Sequence, residues 1–204
     1  NLGYGEIPFV VFEQGWNNYT ARGYFLQTPE NELAGRRFLS NFLQGNAIAV
    51  VLQGTNTSTS VPVLQAAMSH LAAPATVPGF PEKLIQWSQL LWNLTSFLEF
   101  KLPAQLVARN PFGAEIQMAR VDLWMEFNGT RVGAVNQTFD PPLTFPPFQT
   151  TTTPIIYADI VGFSEGLLGA LTGVIHVDVS GTIRAGVGHG FWQEVDYVQL
   201  GVPA

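Results

Sequence analysis

Few side chains in this 204-residue chain have types and spacing suited to chemistry. His176 and Asp178 stand two apart in VIHVDV. An extended chain puts them on one face, where they could hold a metal or act as a base with its acid partner. The polar face of an edge strand explains them more simply. Glu194 and Asp196 repeat that spacing beside Trp192 and could grip a sugar or Ca²⁺. A solvated strand face again suffices. His189 lies in GVGHG at 186–190, yet no helix start or basic residue follows to make a phosphate cradle, so a turn is expected. The third histidine is His70. Ser164-Glu165 and Ser180-Gly181 lack the Gly-x-Ser-x-Gly frame of a nucleophile elbow. With no cysteine, thiolate catalysis, disulfides and Cys-based zinc sites are excluded. The expectation is a chain with no catalytic, metal or cofactor residues.

Composition narrows the classes further. Charged residues are 12% of the chain, about half the usual share, and the net charge is −6 with nine scattered Lys and Arg. That argues against nucleic acid and against an anionic membrane surface. Mean hydropathy is +0.18, but no apolar run reaches the roughly 18 residues of a membrane span. Five sequons are present, at Asn18, Asn56, Asn93, Asn128 and Asn136. A chain rich in Asn and Thr makes some by chance; five favour a secreted protein, extracellular or in the vacuolar lumen, carrying N-glycans. The chain starts at Asn1 with neither Met nor signal peptide, which reads as a processed form or a piece of something longer.

The elements that position these residues are mostly strands. The central stretch, 106–160, holds a strand ended by Asn110-Pro111, where proline cannot donate to a ladder. A turn at Phe112-Gly113 follows, and then Ile116 to Phe127 alternates in polarity. Its apolar parity changes near Arg120, which predicts a bulge. Asn128-Gly129 is the strongest hairpin signal. Strands are expected within Gly3 to Trp16, at Thr20 to Gln27, and from Tyr197 to Val202. Thr28 and Pro29 predict a helix start, with apolar spacing running to Gly45. Asn46 to Gln53 reads as a buried strand, Val61 to Leu71 as a short helix, and Ala72 to Pro81 as a connector. Glu82 to Leu94 fits helix or strand, with an extended chain from about Ser96. Ser164 to Leu171 repeats the short-helix pattern, and Val174 to Val179 alternates. Fifteen Phe and five Trp read as core and interface.

The halves repeat. LSNFLQG at 39–45 followed by AIAVVLQGT matches LLGALTG at 167–173 followed by VIHVDVSGT, an offset of about 127 residues. Asn1 to Gly5 sits opposite 128–133, and VPG at 77–79 lies near GVP at 201–203. Residues 1–79 then form the back half of a first module and 80–204 a second, whole one. Half a sandwich exposes its core. Its missing strands lie upstream, come from another chain, or are replaced by packing within one body.

LVARNPFGAEIQMARVDLWMEFNGTRVGAV at 106–135 resembles the LEA-2 (late embryogenesis abundant 14, WHy-type) family: a strand ending in Asn-Pro, an alternating strand, and a tight Asn-Gly turn. FPPFQTTTTPIIYADI at 145–160 is similar to the Pro- and Thr-rich segment after it, and residues 38–71 resemble the fungal tandem-repeat branch of unknown function. The resemblance implies immunoglobulin-like β-sandwich modules with short helices, no known catalytic residues and lumenal or extracellular exposure. GVGHGFWQEVDYVQLG at 186–201 has no helix matching Val61 to Leu71. The expected function is a non-enzymatic structural protein of tandem modules that self-associates or binds neighbouring modules, adding strands into a filament. Two alternatives are a lipid-binding module with an apolar groove and a carbohydrate-binding or adhesive surface protein.

Overall fold

The computed structural model describes residues 2–6, 14–15, 22–26, 28–91, 99–161, 175–188 and 191–204. It is mostly β, with curled antiparallel sheets in a sandwich-like arrangement and two helices among the described residues, as the strand pattern predicts.

The largest sheet is built from 80–204. Its strands are β5 (Ile85–Leu90), β6 (Lys101–Arg109), β7 (Ile116–Phe127), β8 (Thr130–Phe145), β9 (Thr150–Thr152), β10 (Ile156–Ile160), β11 (His176–Val187) and β12 (Phe191–Pro203). They lie in the order β12-β11-β7-β8-β10-β6-β5, with β9 on β6. The sheet curls until its first and last strands meet, and the enclosed core contains Leu102, Val121, Ile156, Val179, Tyr197 and Val202.

The predicted bulge is present. Met118 pairs with Leu143 and Arg120 with Thr138, so Ala119 faces four residues of β8, two of them prolines without an N–H, and against β11 Ala119 is itself the extra residue. Against β11 the register slips at the same place. Met118 therefore points inward on one side of the slip and Val121 and Leu123 on the other, all buried. The change of apolar parity along the sequence is this slip. Asn128 and Gly129 take φ of 49° and 73° and join β7 to β8 in a two-residue turn.

Residues 1–79 contribute β1 (Gly3–Glu6), β2 (Arg22–Phe25), α1 (Glu32–Leu43), β3 (Ile48–Gln53), α2 (Pro62–Ser69) and β4 (Ala72–Val77). β1 pairs with β2, Tyr4 stacking on Tyr24 at 4.8 Å, and β3 with β4.

Several expectations change. The helix starts at Glu32 rather than at Pro29, because Asn31 Oδ1 accepts from Thr28 N–H at 2.9 Å and holds residues 28–31 in a turn. Ala72 to Pro81 is not a connector throughout: β4 occupies Ala72–Val77, where small residues permit extended pairing. The apolar run Asn46 to Gln53 does form a strand, β3, but not a buried one. Val51 is 63% and Leu52 57% exposed, since β3 has one paired neighbour and no layer of strands over its face among the described residues. Ile85–Leu90 is strand, resolving the ambiguity of Glu82 to Leu94, and the last strand begins at Phe191 rather than at Tyr197. The predicted helix at Ser164 to Leu171, and most of the stretch Gly3 to Trp16, lie outside the described residues.

Candidate functional site

Each chemical candidate has a structural partner or stands alone. Asp178 accepts from Gly201 N–H at 2.8 Å, and Leu200 with Gly201 forms a bulge opposite it. Gly201 has φ of +63°, the left-handed region that favours glycine. Beyond this bulge the inward parity of β12 changes from Tyr197 and Gln199 to Val202. His176, two residues before Asp178, is exposed, and the bulge contact is made by Asp178 alone of the two. Among the described residues, no group of three His, Asp or Glu side chains could hold an ion. His70 is an exposed helix C-cap, and His189 lies outside the described residues.

Glu194 and Asp196 are engaged by α1. Arg36 Nε donates to Asp196 Oδ2 at 3.1 Å, its Nη2 pairs with Oδ1, and Nη1 lies 3.9 Å from Glu194 Oε2. The hydrogen bond to Asp196 is the main cause of a raised Arg36 pKa. Ser40 Oγ accepts from Asp196 N–H at 3.0 Å, and Gln44 Nε2 donates to Asp196 O at 3.3 Å. Helix α1 therefore covers the outer edge of β12 with side-chain hydrogen bonds while Leu39 is buried beneath it. Trp192 is half-buried and lies against Gly186, where a Cβ would crowd its indole. Of the three residues read as a sugar grip, Glu194 and Asp196 belong to a helix–strand interface and Trp192 packs on β11.

The other edge of the sheet is closed by its own far end. Gln199 on β12 exchanges two hydrogen bonds with the backbone of Ile85 on β5. Tyr197 OH donates to Gln199 Oε1, and burial pushes the phenol pKa well above its usual value. Lys83 Nζ reaches the Leu200 and Gly201 carbonyls, each at 2.9 Å. Asn110 does more than precede a strand-breaking proline. It is 1% exposed; its Nδ2 donates to the carbonyls of Ala114, Phe145 and Pro146, and its Oδ1 accepts from Phe112 N–H at 2.8 Å. The Asn-Pro pair signals a turn, but not the distant carbonyls at 145 and 146.

A small apolar cavity of about 70 Å³ lies between α1 and the sheet. Leu39, Leu43, Met118, Phe145 and Val195 line it, with Arg109 among the lining residues and paired to Glu82.

The β3–β4 ribbon is the part with no such cover among the described residues. Its register repeats that of β11–β12. Ile48 pairs with Val77, Ala49 with Thr76 and Val50 with Ala75. Adding 127 to each number gives Ile175 with Ala204, His176 with Pro203 and Val177 with Val202, the pairs at the far end of β11–β12. Val177, Val179 and Val202 are buried in the core, whereas Leu52, the counterpart of Val179, is exposed. The shared register stops there, since Leu52 pairs with Ala73 whereas Val179 pairs with Gln199 rather than Leu200. It does not extend to β1–β2, whose counterparts pair differently: β8 with β7 and β10, and β9 with β6. β11 is flanked by β12 and β7, while β3 has β4 alone among the described strands.

Of the sequons, Asn56, Asn128 and Asn136 are exposed, in a loop, a turn and a strand, whereas Asn18 and Asn93 lie outside the described residues. No helix among the described residues is long and apolar enough to cross a membrane. No family model matches the chain, and no curated protein matches it. Among solved structures it is similar to a crystal structure of a protein from Archaeoglobus fulgidus, at 16% identity and a TM-score of 0.32, covering 56% of this chain and 97% of that one. A likeness of that size carries no weight for fold or function.

Proposed function

We propose that this chain is a non-enzymatic structural and interaction protein, built of LEA-2-like β-sandwich modules that join others of their kind by adding strands. One observation carries the reading. The β3–β4 ribbon matches β11–β12 over three pairs, yet among the described residues lacks the layer that buries Val177, Val179 and Val202. An apolar ribbon without its layer is stabilised by association, at roughly 25 cal/mol per Å² of apolar surface removed from water. The reading extends to a secreted or vacuolar glycoprotein, supported by the five sequons and the three exposed acceptor asparagines. Sedimentation velocity with electron microscopy tests it: oligomers or filaments that grow with concentration are expected, and a dispersed monomer at every concentration would overturn it.

A second reading, a lipid-binding module, draws on the apolar lining of the cavity beneath α1, formed by Leu39, Leu43, Met118, Phe145 and Val195. Native mass spectrometry of the purified protein would show a bound acyl species. Its absence, together with no uptake of a fluorescent fatty acid, would remove this reading.

A further inference from the structure

We propose that the joining edge is β3, and that it pairs antiparallel with β3 of a second copy about a two-fold axis at Val51. This rests on the proposed function and names the contact. Gly54 N–H donates to Leu71 O at 2.9 Å, continuing the ladder between β3 and β4. By alternation Ile48, Val50 and Leu52 turn their peptide groups toward β4, and Ala49, Val51 and Gln53 turn theirs away. The counterpart edge of β11 carries β7 from Asp178 onward, so this chain already shows a strand seated on the same side of the repeated ribbon. β7 continues beyond Gly181, where a Cβ would overlap the Asp122 carbonyl. At Gly54, the counterpart of Gly181, the carbonyl of Met68 in α2 occupies the space instead. The added strand is therefore confined to about Ala49 to Gln53, a length that suits a second β3.

Charge selects the same partner. The chain has a net charge of −6, so two copies repel at long range. Residues 38–81 contain no Asp, Glu, Lys or Arg, and this segment holds β3, α2 and β4. It is the longest uncharged segment of the chain, and there one copy can approach another without setting like charges together. The exposed apolar side chains Val51, Leu52, Val61, Val63, Leu64 and Leu71 all lie within it. Among the described residues, none of the usual protections of an edge strand is on β3: no lysine, no proline and no covering helix side chains like those of α1 on β12. A two-fold pairing sets Ala49 opposite Gln53 of the second copy and Val51 opposite its own counterpart, an isologous contact. A filament then requires a second, different contact elsewhere.

The test uses the full chain, which has no cysteine of its own. In Val51→Cys, paired residues would stand about 5.5 Å apart between Cα atoms, within disulfide reach, and mild oxidation should give a covalent dimer. Thr76→Cys on the exposed face of β4 should not. Val51→Pro removes an outward N–H and leaves the β4 ladder intact, and Val51→Lys sets like charges across the axis. Each should weaken self-association by about tenfold or more, while Val51→Thr should not, and circular dichroism should report an unchanged fold. Association that survives both the Pro and Lys variants, with no crosslink in Val51→Cys, would overturn the β3 pairing and leave assembly through some other surface. A Val51→Cys chain that crosslinks to a dimer but never grows into longer species would support the pairing and remove the filament. A wild-type monomer at all concentrations would remove both.

Discussion

Gln199 Nε2 donates to Ile85 O at 2.6 Å while its Oε1 accepts from Ile85 N–H at 3.0 Å, so one side-chain amide stands in for a strand residue at the seam between β12 and β5. Both residues are buried, at 7% and 3% exposed. Closure of the sheet depends on this exchange because no backbone ladder joins the two strands. Gln199→Leu would leave Ile85 O unpaired and Ile85 N–H with only its 3.4 Å bond to Tyr197 OH, and should destabilise by about 1–3 kcal/mol, read as a lower midpoint of urea unfolding. A loss below about 0.5 kcal/mol would show that water re-enters the seam and satisfies Ile85.

Tyr197 makes the same seam sensitive to alkali. Burial raises its pKa in the folded chain, so its contribution to stability is complete below the unfolded value of about 10. Stability should fall as pH rises above about 10, because the unfolded chain loses that proton first. Tyr197→Phe should flatten the loss in a pH series of thermal melts. An equal slope in the variant would assign it to other groups.

Asn110 should tolerate almost no change. Its amide donates to three carbonyls, so Asn110→Asp replaces the donor with a second acceptor facing them. Asn110→Ala is expected to cost about 2–3 kcal/mol and Asn110→Asp more, with the Asp variant recovering partly at low pH where its carboxyl is protonated. Equal destabilisation by both at every pH would contradict this.

Gln193 invites the opposite experiment. It is 3% exposed, and its Nε2 has no hydrogen-bond partner among the described residues. Gln193→Met keeps the volume and removes the buried donor. It should stabilise by about 1 kcal/mol in the same unfolding assay, whereas a loss would reveal an ordered water on Nε2.

Docking of α1 should rest on Leu39 rather than on Arg36. The Arg36 and Asp196 side chains are 33% and 53% exposed, so solvent screening leaves their pairing with about 0–1 kcal/mol. Leu39, 4% exposed, should cost about 2–4 kcal/mol on change to Ala. A double-mutant cycle on Arg36 and Asp196 checks the first figure.

Local signals are legible in the residues themselves. The Asn128-Gly129 turn, the end of β6 before Asn110-Pro111, the slip near Arg120 and the strand alternation follow from backbone preferences and side-chain period, which act over a few positions. The 127-residue spacing also aligns three strand pairs of β3–β4 with three of β11–β12, although the registers part beyond them. Only the tertiary structure decided burial and partnership. VIHVDV and AIAVVL look alike as strings, yet β11 lies between two strands while β3 has one among those described, because burial depends on which distant segments arrive to cover a face. The same reason hid the roles of Asp196, Gln199 and Asn110. Their partners lie 160, 114 and 35 residues away, beyond the reach of any spacing rule.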